Sequence, residues 1–212
     1  MIAAISMMRR KADISVAQFR KHWLDPHGVL TAGLPGTRYY VQHHVIESPH
    51  TNALAKKLDL LGFPELWYES YEARKIAYTS PRIAECNIDS EQFVGQVKRL
   101  VTEPVDVKVP PKGGVTIFIF NVGDSIDPSW SDAYQARVLA LPGVTGYRRH
   151  NLLEQARAPN SKISELVLPI AGLAAITFEN EQALAKNVGA LVTPAEADHF
   201  ALYVVEDHVL VA

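Results

Sequence analysis

The sequence predicts an α+β fold made of two ferredoxin-like halves, each with the element order β-α-β-β-α-β. An internal repeat links the halves, and both show the same alternation of strand-like and helix-like segments. The chain of 212 residues suits one large domain or two small domains of about 100 residues each. Hydrophobic residues make up 48% of it, so a sizeable core is available and disorder is excluded as the dominant state.

The internal repeat aligns residues 23–44 with residues 130–151 without a gap, and seven of the 22 positions are identical. The identical pairs are Trp23/Trp130, Asp25/Asp132, Leu34/Leu141, Pro35/Pro142, Gly36/Gly143, Tyr40/Tyr147 and His43/His150. A weaker match joins residues 62–73 to residues 172–183, and a tandem duplication explains both matches. The Pro-rich stretch 103–114 predicts the linker, so we expect one domain at 1–110 and a degenerate copy at 111–212.

Local patterns justify the elements in order. The apolar run 2–8 predicts a buried strand. A helix follows, because Asp13 or Ser15 can cap it and apolar residues then recur at spacings of three and four, with a kink expected at Pro26. The first half continues with strand 37–47, a polar loop around 48–57, strand 66–68, helix 69–79 and strand 100–109. The second half repeats this with strand 115–121, helix 129–141, strands 144–154 and 173–178, helix 179–191 and strand 202–211.

Composition excludes several classes of function. The net charge of −2 provides no basic field for nucleic acid or acidic lipid. The single cysteine, Cys86, excludes a disulfide framework and an all-cysteine metal site within one chain. No apolar stretch reaches the roughly 18 residues that cross a bilayer. The N-terminal apolar run precedes Arg9 and Arg10, the reverse of the order in a signal peptide, so we expect a cytoplasmic protein without nucleic-acid or membrane partners.

The first half resembles the EthD family. The residues that carry the resemblance are Phe19-Arg20-Lys21-His22-Trp23, His27-Gly28, Leu34-Pro35-Gly36, Tyr39-Tyr40-Val41-Gln42, Glu65-Leu66-Trp67-Tyr68 and Asp89-Ser90-Glu91-Gln92-Phe93. The likeness covers residues 1–108, and the second half resembles a degenerate copy. The resemblance implies the dimeric α/β-barrel superfamily, in which ferredoxin-like sheets pair into a barrel with a ligand pocket. Similar folds serve as muconolactone isomerases, small monooxygenases, polyketide-tailoring cyclases and haem enzymes, so the fold alone does not fix the reaction.

His27 is the first candidate catalytic residue. An imidazole carries a proton near neutral pH, so one placed in an apolar pocket can serve as general base or acid. His27 also matches the histidine of the family motif, whereas its counterpart in the repeat is Tyr134. We therefore expect any such site in the first half only. The alternative is a packed histidine that bonds a carbonyl at the kink.

The predicted strand 37–47 has two faces, because side chains alternate along a strand. We assign Tyr39, Val41, His43 and Val45 to the face under the helices, and Tyr40, Gln42, His44 and Ile46 to the face that points into the barrel. On this assignment Tyr40 and His44 are catalytic candidates that polarise or position the substrate. The pocket lining is predicted to include Trp23, Gln42 and Trp67, whereas His43 and His150 are predicted to be structural.

The histidines do not have the spacing of a metal site. His22 and His27 lie on different sides of a regular helix, and His43 and His44 point to opposite faces of a strand. We therefore expect no dedicated metal site and no cofactor. Haem needs only one axial histidine, so the count of histidines leaves haem open.

The leading hypothesis is a small enzyme of catabolism or secondary metabolism that binds an apolar, oxygenated small molecule in the barrel. Its reaction would be cofactor-independent proton transfer, as in an isomerase or cyclase. One alternative is a haem-dependent or cofactor-free monooxygenase. Another is a non-catalytic protein that binds a small molecule or assists an oxidase. The chain is expected to be either a monomer with an internal barrel or a homodimer built on the same surfaces.

Overall fold

The computed structural model describes residues 1–111, 113–124, 128–156 and 161–212, without the side chains of residues 128–130. The fold is α+β. The strands are β1 (Ile2–Arg10), β2 (Tyr39–Val45), β3 (Gly62–Tyr68), β4 (Val94–Lys108), β5 (Val115–Val122), β6 (Val144–Ala156), β7 (Ser164–Glu165), β8 (Ile170–Phe178) and β9 (Phe200–Val211). The helices are α1 (Val16–His22), α2 (Gly28–Ala32), α3 (Ala53–Leu58), α4 (Tyr71–Thr79), α5 (Pro81–Ser90), α6 (Pro128–Leu139) and α7 (Glu181–Leu191), with a π-turn (Trp23–His27) between α1 and α2.

The eight long strands close into one antiparallel barrel. Their order is β1-β3-β2-β9-β5-β8-β6-β4, and β4 pairs again with β1. The two-residue strand β7 adds in parallel to β4. Within the first half the order is β4-β1-β3-β2, and within the second half it is β9-β5-β8-β6. All eight strands come from one chain, so the barrel closes without a second copy.

Two apolar layers hold the fold together. The barrel interior is filled by side chains from both halves, among them Ile5, Phe63, Phe118, Phe120 and Tyr203. The outer face of the barrel is covered by helices. In the first half this outer layer includes Phe19, Trp23, Tyr40, Leu66 and Phe93, and in the second half Ile117, Tyr134, Ile176, Leu184 and Leu202. Both faces of most strands are therefore buried.

The structure corrects three of the predicted elements. The first half of the predicted linker is strand, because β4 continues to Lys108 and pairs with β6. That part of β4 is paired on one side only, an edge at which Pro104 is tolerated. The predicted polar loop contains α3, whose N-cap Asn52 accepts from the N–H of Ala55 at 3.1 Å. Cys86, in a stretch for which no helix or strand was predicted, is buried in α5. Lys112 of the predicted linker lies outside the described residues.

Candidate functional site

The first helix is interrupted at the predicted kink. Ser15 is its cap: the Ser15 hydroxyl accepts from the N–H of Gln18 at 3.1 Å, and the Gln18 side chain accepts from the N–H of Ser15 at 2.8 Å. Pro26 disfavours helical backbone for the residue before it, and Asp25 accordingly has φ −152° and ψ 118°. The chain makes the π-turn here, then resumes as α2. Single π-turns of this kind are frequent at functional sites.

The π-turn brings His27 to Asp89 of α5. The Nδ1 atom of His27 lies 2.8 Å from one carboxylate oxygen of Asp89, and the Nε2 atom of His22 lies 3.0 Å from the other. On its far side, Nε2 of His27 lies 3.1 Å from the hydroxyl of Thr31. The ring of Phe93 contacts both histidine rings, with centroid distances of 4.9 Å to His22 and 5.0 Å to His27. His27 is therefore fixed by a carboxylate on one nitrogen and a hydroxyl on the other.

Burial favours the neutral form of His27. The side chain is almost completely enclosed, and this desolvation lowers the pKa of His27 below its usual value, although Asp89 acts in the opposite direction. In the neutral form, Nδ1–H donates to Asp89 and the lone pair of Nε2 accepts from Thr31. This is the tautomer that a general base requires, with the carboxylate holding the ring in place.

Exchanging Asp89 for Asn provides a first test of this electrostatic arrangement. Because the Asp89 carboxylate favours the imidazolium, Asp89→Asn is expected to lower the pKa of His27 further. The measurement is an NMR titration of the imidazole carbon-bound protons. A His27 pKa that rises in the Asp89→Asn variant, or that lies above 6.5 in the parent protein, would contradict the arrangement.

His27 and Thr31 line a cavity of about 80 Å³ between the helices and the barrel. Its other walls include Leu34, Tyr40, Leu66, Tyr78, Cys86 and Arg99. Arg99 is the cation in this wall, and burial lowers its pKa, although a guanidinium remains charged at physiological pH. The volume is below the about 300–1,000 Å³ of ordinary ligand pockets, so the cavity suits a small molecule or the reactive end of a larger one.

The predicted orientation of Tyr40, Gln42 and His44 is wrong. These side chains do not point into the barrel; they lie under the π-turn. The side-chain nitrogen of Gln42 donates to the carbonyl of Trp23 at 2.7 Å and to the hydroxyl of Tyr40 at 2.8 Å. The Gln42 carbonyl accepts from Nε2 of His44 at 2.9 Å. Gln42 thus satisfies a carbonyl at the break in the helix, and the three side chains support the turn that carries His27.

Trp23 and His44 pack against each other in this support. Their rings stack with a centroid distance of 4.2 Å and an interplanar angle of 14°. Burial lowers the pKa of His44 to about 3, so its ring is neutral at physiological pH. Tyr40 is the member of the set that reaches the wall of the cavity, whereas Trp23, Gln42 and His44 lie behind it.

Gly62 leaves the space that the Trp23 ring occupies. A Cβ atom at Gly62 would overlap with Cζ3 of Trp23. Gly62→Ala is therefore expected to displace the ring and lower the free energy of unfolding by about 1–3 kcal/mol, measured by urea denaturation. Gly189→Ala is the matched control, because nothing lies within 4 Å of its Cβ position in α7. The control is expected to gain about 1 kcal/mol, and equal stability of the two variants would contradict the packing described.

Trp67 does not join the His27 cavity. Its ring lies on the barrel side of β3, where the guanidinium of Arg148 is 4.6 Å from the ring centroid and the indole N–H donates to Glu65. His43, on the same side, approaches Glu65 at 3.0 Å and Asp207 at 2.6 Å. On this side of the sheet the described residues thus form a compact charged network inside the barrel. The two faces of strand 37–47 are the reverse of those predicted.

Asp89 and Arg99 are the site residues that sequence reasoning missed. Asp89 is 62 positions from His27 and lies on a helix that was not predicted. The sequence did contain a start signal for that helix, because Ser80 precedes Pro81 at the first helical position. Arg99 directly follows Lys98 on β4, so the sequence alone does not distinguish it from an exposed cation.

The described residues beside His27 do not have the arrangement that would hold a metal ion or haem. Among them, no group of three or more His, Cys, Asp or Glu side chains is placed to hold a metal ion. Both ring nitrogens of His27 already have partners, and the cavity is too small for a porphyrin, so the residues do not fit haem there. None of the described helices is long and apolar enough to cross a membrane.

The described residues thus form an α+β fold, a closed eight-stranded antiparallel barrel with helices on its outer face. Residues 11–96 match the family model for the EthD domain. This match confirms the resemblance to the EthD family that the sequence predicted for the first half, and it covers the π-turn and Asp89. No curated protein sequence matches the chain.

Solved structures share the fold over nearly the whole chain. An anthrone oxidase-like protein aligns with a TM-score of 0.62 and 11% identity, covering 99% of this chain and 93% of that one. A provisionally named monooxygenase from Lactobacillus acidophilus NCFM aligns with a TM-score of 0.54 and 9% identity, covering 98% of this chain and 94% of that one. A chlorite dismutase variant from Candidatus Nitrospira defluvii, in complex with cyanide, aligns with a TM-score of 0.53 and 8% identity. The alignment covers 97% of this chain and 90% of that one. At these identities the likeness is one of fold alone.

Proposed function

We propose that this protein is a small enzyme that moves a proton on an apolar, oxygenated small molecule without a cofactor. The observation that carries the proposal is the His27–Asp89 contact of 2.8 Å beside a small cavity with both apolar and polar walls. A buried neutral imidazole whose Nδ1–H is held by a carboxylate can accept a proton at Nε2. The reaction class is isomerisation, cyclisation or lactone rearrangement.

Each residue around the cavity has its own role in such a reaction. His27 removes a proton from a carbon next to a carbonyl, and Asp89 stabilises the imidazolium that forms. Thr31 releases Nε2 when substrate enters. The negative charge that develops on the substrate oxygen is stabilised by Arg99 and by the hydroxyl of Tyr40, both at the cavity wall. His27 then returns the proton to a different carbon, which completes an isomerisation.

The other predicted residues are proposed as positioning groups. Gln42 bonds the carbonyl of Trp23, and His44 bonds Gln42 and stacks on Trp23. Because these contacts hold the π-turn, they fix the direction of the His27 ring. We infer no contact between Trp67 and the substrate, since Trp67 lies on the other side of the sheet.

The organisation of the chain is part of the proposal. We infer that residues 1–110 and 111–212 are two ferredoxin-like units related by duplication. The same strand order in each half and the gap-free repeat support this inference. The His27 position holds Tyr134 in the second half, which limits the proposed chemistry to the first half. That two copies of the chain form a homodimer remains a prediction.

Hydrogen exchange on a small carbon acid tests the proposed function. The probe is α-angelica lactone in deuterium oxide under argon, followed by proton NMR with a chelator present. We expect the protein to catalyse deuterium incorporation and migration of the double bond, and to act more slowly on the bulkier ketone 2-tetralone. Binding of the lactone without exchange would contradict the proposal and favour an accessory role. Oxygen uptake under air, with no exchange under argon, would favour the monooxygenase alternative.

A further inference from the structure

A second cavity, of about 460 Å³, lies in the other half of the chain between α6 and the outer face of the barrel. Its apolar walls include Ile119, Tyr134, Tyr147, Ala174 and Phe200. The volume falls within the about 300–1,000 Å³ typical of ligand pockets. It is several times larger than the cavity at His27.

The repeat explains why this cavity differs from the first. Tyr147, Arg149 and Asn151 occupy the positions that Tyr40, Gln42 and His44 hold in the first half. In the first half these side chains form a closed hydrogen-bonded chain under the π-turn. The exchange of Gln42 for Arg149 removes that closure from the second half and places a guanidinium at the wall of the cavity.

Arg149 has hydrogen-bonding capacity that the protein leaves unused. Its Nη1 atom lies 3.4 Å from Asp132, a carboxylate whose side chain is 77% exposed. Its Nε atom is buried and has no hydrogen-bond partner among the residues that the structure describes. A buried donor without a partner is unfavourable, and an oxygen of a bound molecule would satisfy it. A planar guanidinium matches the two oxygens of a carboxylate.

The walls indicate the shape of the ligand. The rings of Tyr134 and Phe200 stack on each other with an interplanar angle of 15° and a centroid distance of 5.6 Å, and they form an aromatic wall beside the small side chain of Ala174. Planar rings pack well against such walls. We propose that this cavity is a binding site for a planar aromatic carboxylate of one or two fused rings, with its carboxylate on Arg149. The site is separate from the proposed proton-transfer site.

Calorimetric titration with 2-naphthoate and its neutral analogue 2-naphthamide tests the site. We expect one naphthoate per chain, bound more tightly than the amide. Arg149→Gln, which introduces the residue of the first half, is expected to weaken naphthoate binding by about tenfold or more and to remove the preference over the amide. Ala174→Leu fills the cavity and is expected to weaken both ligands. Lys186→Gln, which removes an exposed charge from α7, is the matched control and should change neither affinity.

Nuclear Overhauser contacts locate the ligand in the parent protein, so the test does not depend on any variant folding. Contacts from naphthoate protons to the methyl group of Ala174 are expected, and His27→Ala should leave the affinity unchanged. Contacts to the methyl group of Thr31 instead would overturn the proposal. No binding at millimolar naphthoate, or equal affinity in Arg149→Gln and the parent, would also overturn it. None of these outcomes decides whether His27 transfers protons.

Discussion

His27→Ala is expected to slow deuterium exchange on α-angelica lactone by about 10²–10⁴-fold, the usual contribution of a positioned general base. The physical reason is that His27 is the imidazole at the wall of the cavity, and its ring is oriented by Asp89. The measurement is the initial rate of exchange at saturating lactone, with the fold of the variant checked by circular dichroism.

Two other histidines make this prediction specific. His22→Gln removes the second partner of Asp89 but leaves His27 in place, so its effect is expected to stay below about tenfold. His50→Gln changes a histidine that does not line the cavity and should have no effect. If His22→Gln were as inactive as His27→Ala, the loss of activity would not be specific to His27, and this would contradict the assignment of His27 as the base.

Glu65→Gln is expected to have the largest effect on stability, a loss of about 3–5 kcal/mol in the free energy of unfolding. Glu65 is 1% exposed and accepts from Nε2 of His43 at 3.0 Å, while Nη1 of Arg148 and Nε2 of His150 lie 3.9 Å and 4.0 Å away. Burial alone would raise the pKa of Glu65, but His150, His43 and Arg148 lower it to about 2. Removing this carboxylate takes away one of the two counterions of the buried His43, whose other counterion is Asp207, and the carboxylate nearest to His150.

Urea denaturation measures this loss, with Glu72→Gln as the matched control. The Glu72 side chain is 72% exposed, and its ion pair with Lys75 is a surface pair. Such pairs contribute about 0–1 kcal/mol, so the control should remain close to the parent protein. A Glu65→Gln variant as stable as Glu72→Gln would show that the network inside the barrel does not hold the two halves together.

The same network predicts how stability changes with pH. Burial alone would lower the pKa of His43, but Asp207 and Glu65 raise it to about 9, above its usual value of 6.5. The contribution of His43 is therefore fully present below pH 6.5 and is lost as the pH rises through about 9. In Glu65→Gln the pKa of His43 is less raised, so the alkaline loss should be smaller. An unfolding midpoint that is constant in the parent between pH 6.5 and 9.5 would contradict this.

Local chemistry in the sequence predicts much of the fold. Ser15 caps α1, Pro26 breaks the helix, and the apolar runs become the strands of the barrel. The resemblance carried by Trp23 and His27 correctly predicts the EthD domain. These features depend on residues that are close in sequence, or on a motif that keeps its spacing.

The predictions that were wrong or missing concern features that depend on contacts between distant segments of the chain. The orientation of strand 37–47 was inverted because helices cover one of its faces and the barrel core covers the other, so hydrophobicity does not distinguish them. Tyr40 and His44 therefore lie under the π-turn, and His43 lies inside the barrel. The partnership of His27 with Asp89 joins positions 62 apart, and no local pattern encodes it.

The most direct test of the central claim compares a kinetic pKa with a structural one. The rate of exchange on α-angelica lactone, measured from pH 4 to 9, should fall in acid as His27 takes up a proton. We predict that the midpoint of this fall equals the pKa of His27 measured by NMR, below 6.5, and that both move down together in Asp89→Asn. A kinetic midpoint that differs from the NMR value, or that stays in place when the NMR value moves, would show that another group is the base.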